Sequence, residues 1–187
     1  GVLALELDMP LHAVAETRVG GDFRFAGNRI RLLEALPALE GAAGQIRFTG
    51  DSLSIPEARA RLFGHPLRLV AKTLKDGGVR FEASGRAGAD AVRAAYDLHL
   101  LNAISGDVGW KAAVSVQGQG TQVEVSSDLV GLSSSLPAPL NKSAGEAWAT
   151  EFRFEHSGPD AAETYALRAG ALLRAALRRQ EGARPAL

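Results

Sequence analysis

Val108-Gly109-Trp110-Lys111-Ala112-Ala113-Val114-Ser115-Val116-Gln117-Gly118-Gln119-Gly120-Thr121-Gln122-Val123-Glu124-Val125-Ser126-Ser127 is the stretch that decides the fold. Val108, Trp110, Ala112, Val114 and Val116 recur every second residue, and Val123 and Val125 answer them against Gln122, Glu124 and Ser126. Between the runs lies a turn cluster, Gln117 to Gly120, whose glycines reach positive φ without steric cost. A period of two, with one apolar and one wet face, belongs to antiparallel strands and not to a helix.

The same period runs outward in both directions. Leu3, Leu5, Leu7 and Met9 alternate with Ala4, Glu6 and Asp8; Val19, Phe23 and Phe25 oppose Arg18, Asp22 and Arg24. Ile46 and Phe48 flank Arg47, and Leu53 and Ile55 flank Ser54. Ala58, Ala60 and Leu62 oppose Arg59 and Arg61, and Leu67, Leu69 and Ala71 oppose Arg68 and Lys72. Val79, Phe81 and Ala83 oppose Arg80, Glu82 and Ser84. The clusters Thr49-Gly50-Asp51-Ser52, Phe63-Gly64-His65-Pro66 and Lys75-Asp76-Gly77-Gly78 read as hairpin turns. Three segments, Gly21 to Phe25, Gly44 to Phe48 and Gly106 to Trp110, share a glycine followed four residues later by an aromatic. We read each as a turn glycine launching a strand; the unequal spacings do not make a solenoid.

Two stretches break the pattern. Val92, Ala95, Tyr96, Leu98 and Leu101 fall at helical spacing, so one short amphipathic helix is expected near residues 88–103, with Asp90 as its cap and Gly106 past its end. Arg31 to Leu36 could form a single helical turn before Pro37. The tail over 161–181 is open: alanine, leucine and arginine favour a helix, while Tyr165, Leu167, Ala169, then Leu173, Ala175 and Leu177, alternate as a hairpin would. The expected organisation is one continuous unit: a hairpin region over 1–86, the helix over 87–105, a hairpin and proline-rich connection over 106–150, and a hairpin or helical tail over 151–187. Roughly nine strands with a continuous apolar face must cover it. A sandwich, a barrel, or an open curved sheet whose apolar face is a groove would each satisfy that demand.

Composition narrows the function classes. The chain has 187 residues, 46% hydrophobic and 22% charged, which is ordinary for folded protein. Twenty-one basic and 21 acidic residues cancel, leaving none of the basic excess that nucleic acid binding draws on. Zero cysteines exclude disulfides and thiolate chemistry. No signal peptide or membrane-spanning run is visible, and a start at Gly1-Val2-Leu3 leads us to expect a piece of a longer protein.

Catalytic constellations do not emerge. His12, His65, His99 and His156 share no metal-ligand spacing, and Gly118-Gln119-Gly120 lacks the third glycine of a dinucleotide loop. Ser133 to Ser135 lie near Lys142 without the helix-borne spacing of a serine–lysine pair. Arg178-Arg179 reads as a wet face. No catalytic residue, metal or cofactor is assigned.

The most distinctive segment runs from Val125 to Trp148. A strand ends at Ser127-Asp128, Gly131 permits a close crossing, and Pro137 and Pro139 stiffen what we read as an extended connection. Ser127, Asp128, Leu129, Gly131 and Leu132, followed by Leu136, Pro137, Pro139, Leu140 and Lys142, match a signature of YhdP-type members of the AsmA-like superfamily. The likeness extends loosely over residues 20–150. This resemblance implies an open, curved, twisted antiparallel sheet of hairpins, and strands rather than helix in the tail. It implies a non-enzymatic periplasmic segment of an inner-membrane-anchored protein of a Gram-negative bacterium. Its apolar groove would conduct phospholipid between inner and outer membrane, with acyl chains as partners and no nucleic acid. From the alternation, the expected lining is Ile46, Phe48, Leu53, Ile55, Leu67 and Leu69. Phe81, Trp110, Val114, Val123 and Val125 complete it. The alternative is a periplasmic scaffold or protein-binding β domain with a sealed core. Free sheet edges would in either case favour a dimer of the isolated piece.

Overall fold

A computed structural model describes residues 1–8, 18–31, 37–96, 99–158 and 161–179. His12, Met9, Asp97, Leu98 and most of the expected turn over 31–36 lie outside them. Twelve strands form one all-antiparallel sheet that does not close. They are β1 (Val2–Asp8), β2 (Arg18–Ile30), β3 (Leu39–Thr49), β4 (Leu53–Leu62), β5 (His65–Thr73) and β6 (Val79–Gly88). After α1 (Ala89–Ala95) come β7 (Ile104–Gln117), β8 (Gly120–Ser127), β9 (Leu132–Ser134), β10 (Thr150–His156), β11 (Glu163–Ala169) and β12 (Leu173–Arg179). Spatial order follows the chain, except that β9 leaves the path and pairs with the start of β7.

Tight turns set the register. Leu62 pairs with His65, so Phe63 and Gly64 are the whole loop, with φ of 51° and 76°. Two positive φ values give the twist that matches the flanking strands. Gln117 pairs with Gly120, leaving Gly118 and Gln119. Residues that pair across these turns share a face, so each turn carries the apolar face from one strand to the next. One apolar row runs Phe25, Gly44, Ala58, Leu69, Ala83, Ala112, Val125, Phe152, Leu167, Ala175 from β2 to β12, each paired with the next. A β-bulge at Pro56-Glu57 in β4 keeps Leu53 and Ile55 on the face of Ala58, and further register shifts lie between β2 and β3 and near the start of β3 against β4.

The three repeat glycines are not turn residues. Gly21, Gly44 and Gly106 lie inside β2, β3 and β7. At Gly21, a Cβ would meet the Phe48 ring at 2.9 Å; at Gly85, it would meet the Trp110 indole at 3.0 Å. Each aromatic lies over the glycine opposite it and fills the space that a side chain would take.

The expected helix is shorter than its hydrophobic pattern. Ala87 and Gly88 still pair with Val108 and Asp107, so the ladder holds the first residues as strand. The α-helix then covers only Ala89–Ala95, and a 3-10 turn covers His99–Ala103. Asp90 is not the cap: Gly88 holds that position without a side-chain bond, and Asp90 pairs with Arg93 instead. The tail resolves as β11 and β12, because alternation on a sheet edge outweighs weak helix propensity.

Among the described residues, no second layer covers the sheet. Small clusters around Leu39, Ala42, Ala60 and Leu67, and around Ile55, Ala58 and Ala71, are buried, yet no large side chain is fully so. The accessible surface is 13121 Å², against about 8,600 Å² for a compact monomer of this mass. The sandwich and the barrel are therefore not the fold.

Candidate functional site

Ile46, Phe48, Leu53, Ile55, Leu67, Leu69, Phe81, Trp110, Val114, Val123 and Val125 all lie on the apolar face. The rows show it: Phe48 pairs with Leu53, Ile55 with Ala71, Phe81 with Val114, and Val114 with Val123. Arg61, Arg80 and Glu124 lie on the opposite face. Phe152, Phe154, Tyr165 and Leu167 extend the apolar rows through β10 and β11. The sequence reading missed these four because it left the tail undecided; their own alternation was the available signal.

The polar face differs in kind. It bears two open concavities of about 930 and 910 Å³. A twisted sheet is saddle-shaped, so a trough across strands on one face is compatible with a trough along strands on the other. The larger is lined by six cations, Arg68, Arg80, Lys111, Arg153, Arg168 and Arg174, against Glu82, Glu124 and Glu151. Glu82 is bound to Arg80 at 2.9 Å and Glu124 to Arg153 at 2.9 Å. The Arg80 guanidinium holds the Glu82 carboxyl below its ordinary range.

The signature segment folds into a compact loop at the strand ends where β6–β7 and β8–β10 connect, with β9 paired to the start of β7. Ser127 Oγ donates to the Gly109 carbonyl at 2.8 Å, and Val130 N–H donates to Asp128 Oδ1 at 3.0 Å. Gly106 and Gly131 have φ of 98° and 100°. A Cβ on Gly106 would overlap the Gly131 carbonyl, and one on Gly131 the Asp107 carbonyl, so this crossing requires glycine both in β7 and in the turn before β9. Lys142 is 6% exposed. Its Nζ donates to the carbonyls of Leu129 (2.8 Å), Leu132 (2.8 Å) and Ser143 (3.0 Å). An ammonium has three N–H groups, and all three are used, so the neighbouring serines gain no base from it. Pro137 to Leu140 form a turn closed by Leu140 N–H to the Pro137 carbonyl at 2.9 Å. The expected extended connection is thus a compact loop, bent so that Lys142 can pair with Ser134.

A YhdP protein family model matches residues 1–187, the whole chain. The chain belongs to the YhdP family. This YhdP-family chain is 26% identical over 159 residues to the intermembrane phospholipid transporter YhdP of Escherichia coli (strain K12), covering 81% of the chain and 12% of that protein. It therefore spans about an eighth of its relative's length. No solved structure matches. Among the described residues, no three His, Asp or Glu groups could hold a metal, and no helix is long and apolar enough to cross a membrane.

Proposed function

We propose that this chain is a non-enzymatic segment of a phospholipid carrier, with acyl chains lying on the uncovered apolar face of the sheet. The observation that carries the reading is that face: continuous apolar rows from β2 to β12, with no covering layer among the described residues. Acyl chains need continuous apolar lining and no hydrogen bonds, and each methylene removed from water contributes about 0.8 kcal/mol. The relative named as a phospholipid transporter supports the same reading. In this account the segment sits in the periplasm, within a protein anchored in the inner membrane.

Charging the face tests it. Leu69→Asp with Val123→Asp should abolish binding of a fluorescent phospholipid, because two carboxylates on the apolar face interrupt the acyl path. The fold should survive at a cost of about 1–3 kcal/mol, since neither side chain sits in a sealed core. Retained binding, or outright unfolding, would contradict the proposal; unfolding is what a sealed protein-binding domain predicts.

A further inference from the structure

Among the described residues of β3 to β12, the apolar face has one charged spot. In the ladder rows crossing β3 to β12, Glu163 and Arg179 are the only acidic or basic side chains of the Asp, Glu, Lys and Arg type on that face. Arg179, read from sequence as part of a wet face, shares the face of Leu177, Ala175 and Leu173. Glu163 pairs with Arg179 across β11 and β12; the β10–β11 ladder ends at Glu155 with Thr164, and its register carried one residue further brings His156 of β10 opposite Glu163. His156 pairs in turn with Thr121 of β8. The four form a short polar row at the strand ends, beside the apolar row of Tyr165, Phe154 and Val123.

Their bonding leaves capacity unused. Tyr165 O–H donates to Glu163 Oε2 at 2.8 Å. Arg179 Nη1 lies 4.0 Å from the same oxygen, with its side chain 68% exposed. An exposed pair at that distance adds little stability, so structure alone does not account for charges on this face. His156 Nδ1 is buried and has no partner, although buried polar atoms are normally satisfied.

We infer that His156, Glu163 and Arg179 form a binding subsite for a zwitterionic phospholipid headgroup. Arg179 and His156 would take the phosphate and Glu163 the ammonium. The inference rests on the phospholipid reading above and deepens it. A guanidinium matches phosphate oxygens in a bidentate fork. A carboxylate beside it excludes purely anionic headgroups by repulsion and accepts an ammonium. The placement fits an amphiphile: acyl chains on the Phe154 and Val123 row, head at the strand ends where water begins.

The test uses full-length protein carrying a photo-crosslinker at Phe154, with a second preparation labelled at Phe48. Both are equilibrated with vesicles of equal parts phosphatidylethanolamine, phosphatidylglycerol and diacylglycerol, and the adducts are weighed by mass spectrometry. At Phe154, phosphatidylethanolamine should exceed each of the other two by roughly tenfold, the scale of one charge-assisted hydrogen bond. Arg179→Gln and Glu163→Gln should each erase that preference, and Arg179→Lys should keep most of it. The composition at Phe48 should stay unchanged in all three. Adducts at both positions without a headgroup preference at Phe154, or a preference that survives both glutamine variants, would overturn the subsite and leave the lipid reading standing. Equal enrichment of phosphatidylglycerol would overturn the role given to Glu163. No lipid adduct at either position would overturn the lipid reading and the subsite together.

Discussion

Lys142 carries the signature loop. Replacing it with methionine keeps the stem and leaves the carbonyls of Leu129, Leu132 and Ser143 without donors. Hydrogen bonds to charged groups contribute about 1.5–3 kcal/mol each, partly offset by desolvation of the ammonium. Lys142→Met should therefore lower unfolding free energy by about 3 kcal/mol in a denaturant titration. Lys142→Arg should not restore it, because a planar fork cannot reach three converging carbonyls. A loss under about 1 kcal/mol would remove the loop's keystone. Tyr165 offers a second residue-scale check. The Glu163 carboxylate accepting its O–H, with burial adding to it, raises the phenol above its ordinary value of 10.0. A folded-state pKa above the unfolded one means this group's stabilisation is complete below about pH 10 and fades as pH rises through the folded value. Phenolate absorbance should accordingly show one tyrosine moving to lower pKa in Glu163→Gln. The sequence singled out Lys142, Gly131 and Asp128 as a motif, but not the geometry that needs them. A lysine surrounded by three carbonyls has no local pattern, because those carbonyls belong to any residue type.

Among the elements, the strands of β2 to β8 were legible because alternation is a local property fixed by the pleat. Gly21 and Gly44 differ from the expected turns because a glycine opposite an aromatic looks, in one dimension, like a glycine before a strand; Gly106 is instead required by its crossing with Gly131. Gly85→Val should force the Trp110 indole off its position and cost about 1–3 kcal/mol, visible as a red shift of tryptophan emission. An unshifted spectrum would show that the ring does not depend on the glycine. Helix α1 fell short of its hydrophobic pattern because β6 and β7 keep pairing through Gly88 and Asp107. That competition between ladder and helix is tertiary, so no window of sequence contains it. At the edges, Leu3 of β1 is 54% exposed and Leu177 of β12 is 62% exposed. Unpaired edges with apolar side chains recruit further strands. The isolated chain should therefore dimerise with rising concentration in sedimentation. Proline at Ala175 or at Ala176, one of which has its N–H on the free edge, should shift it to monomer.

For the molecule as a whole, the choice among sandwich, barrel and open sheet was not legible in the residues, since all three bury the same alternation. Resemblance alone favoured the open form, and the pairing path from β1 to β12 without closure decides it. An open sheet is wider than a compact domain. Small-angle scattering of the monomeric variant should give a radius of gyration above about 16 Å, the value for a compact chain of this length. The two faces then divide the work: charged side chains on the polar face keep the sheet in water, and the apolar face stays available. The most direct test of that division is photo-crosslinking in the full-length protein in cells. The crosslinker replaces Phe48, Leu69, Phe81 or Val123 on the apolar face, with Arg61, Arg80 and Glu124 as controls on the other. Phospholipid adducts confined to the first set are the predicted result. Adducts with protein alone, or lipid adducts equally frequent on both faces, would contradict a lipid-bearing apolar face.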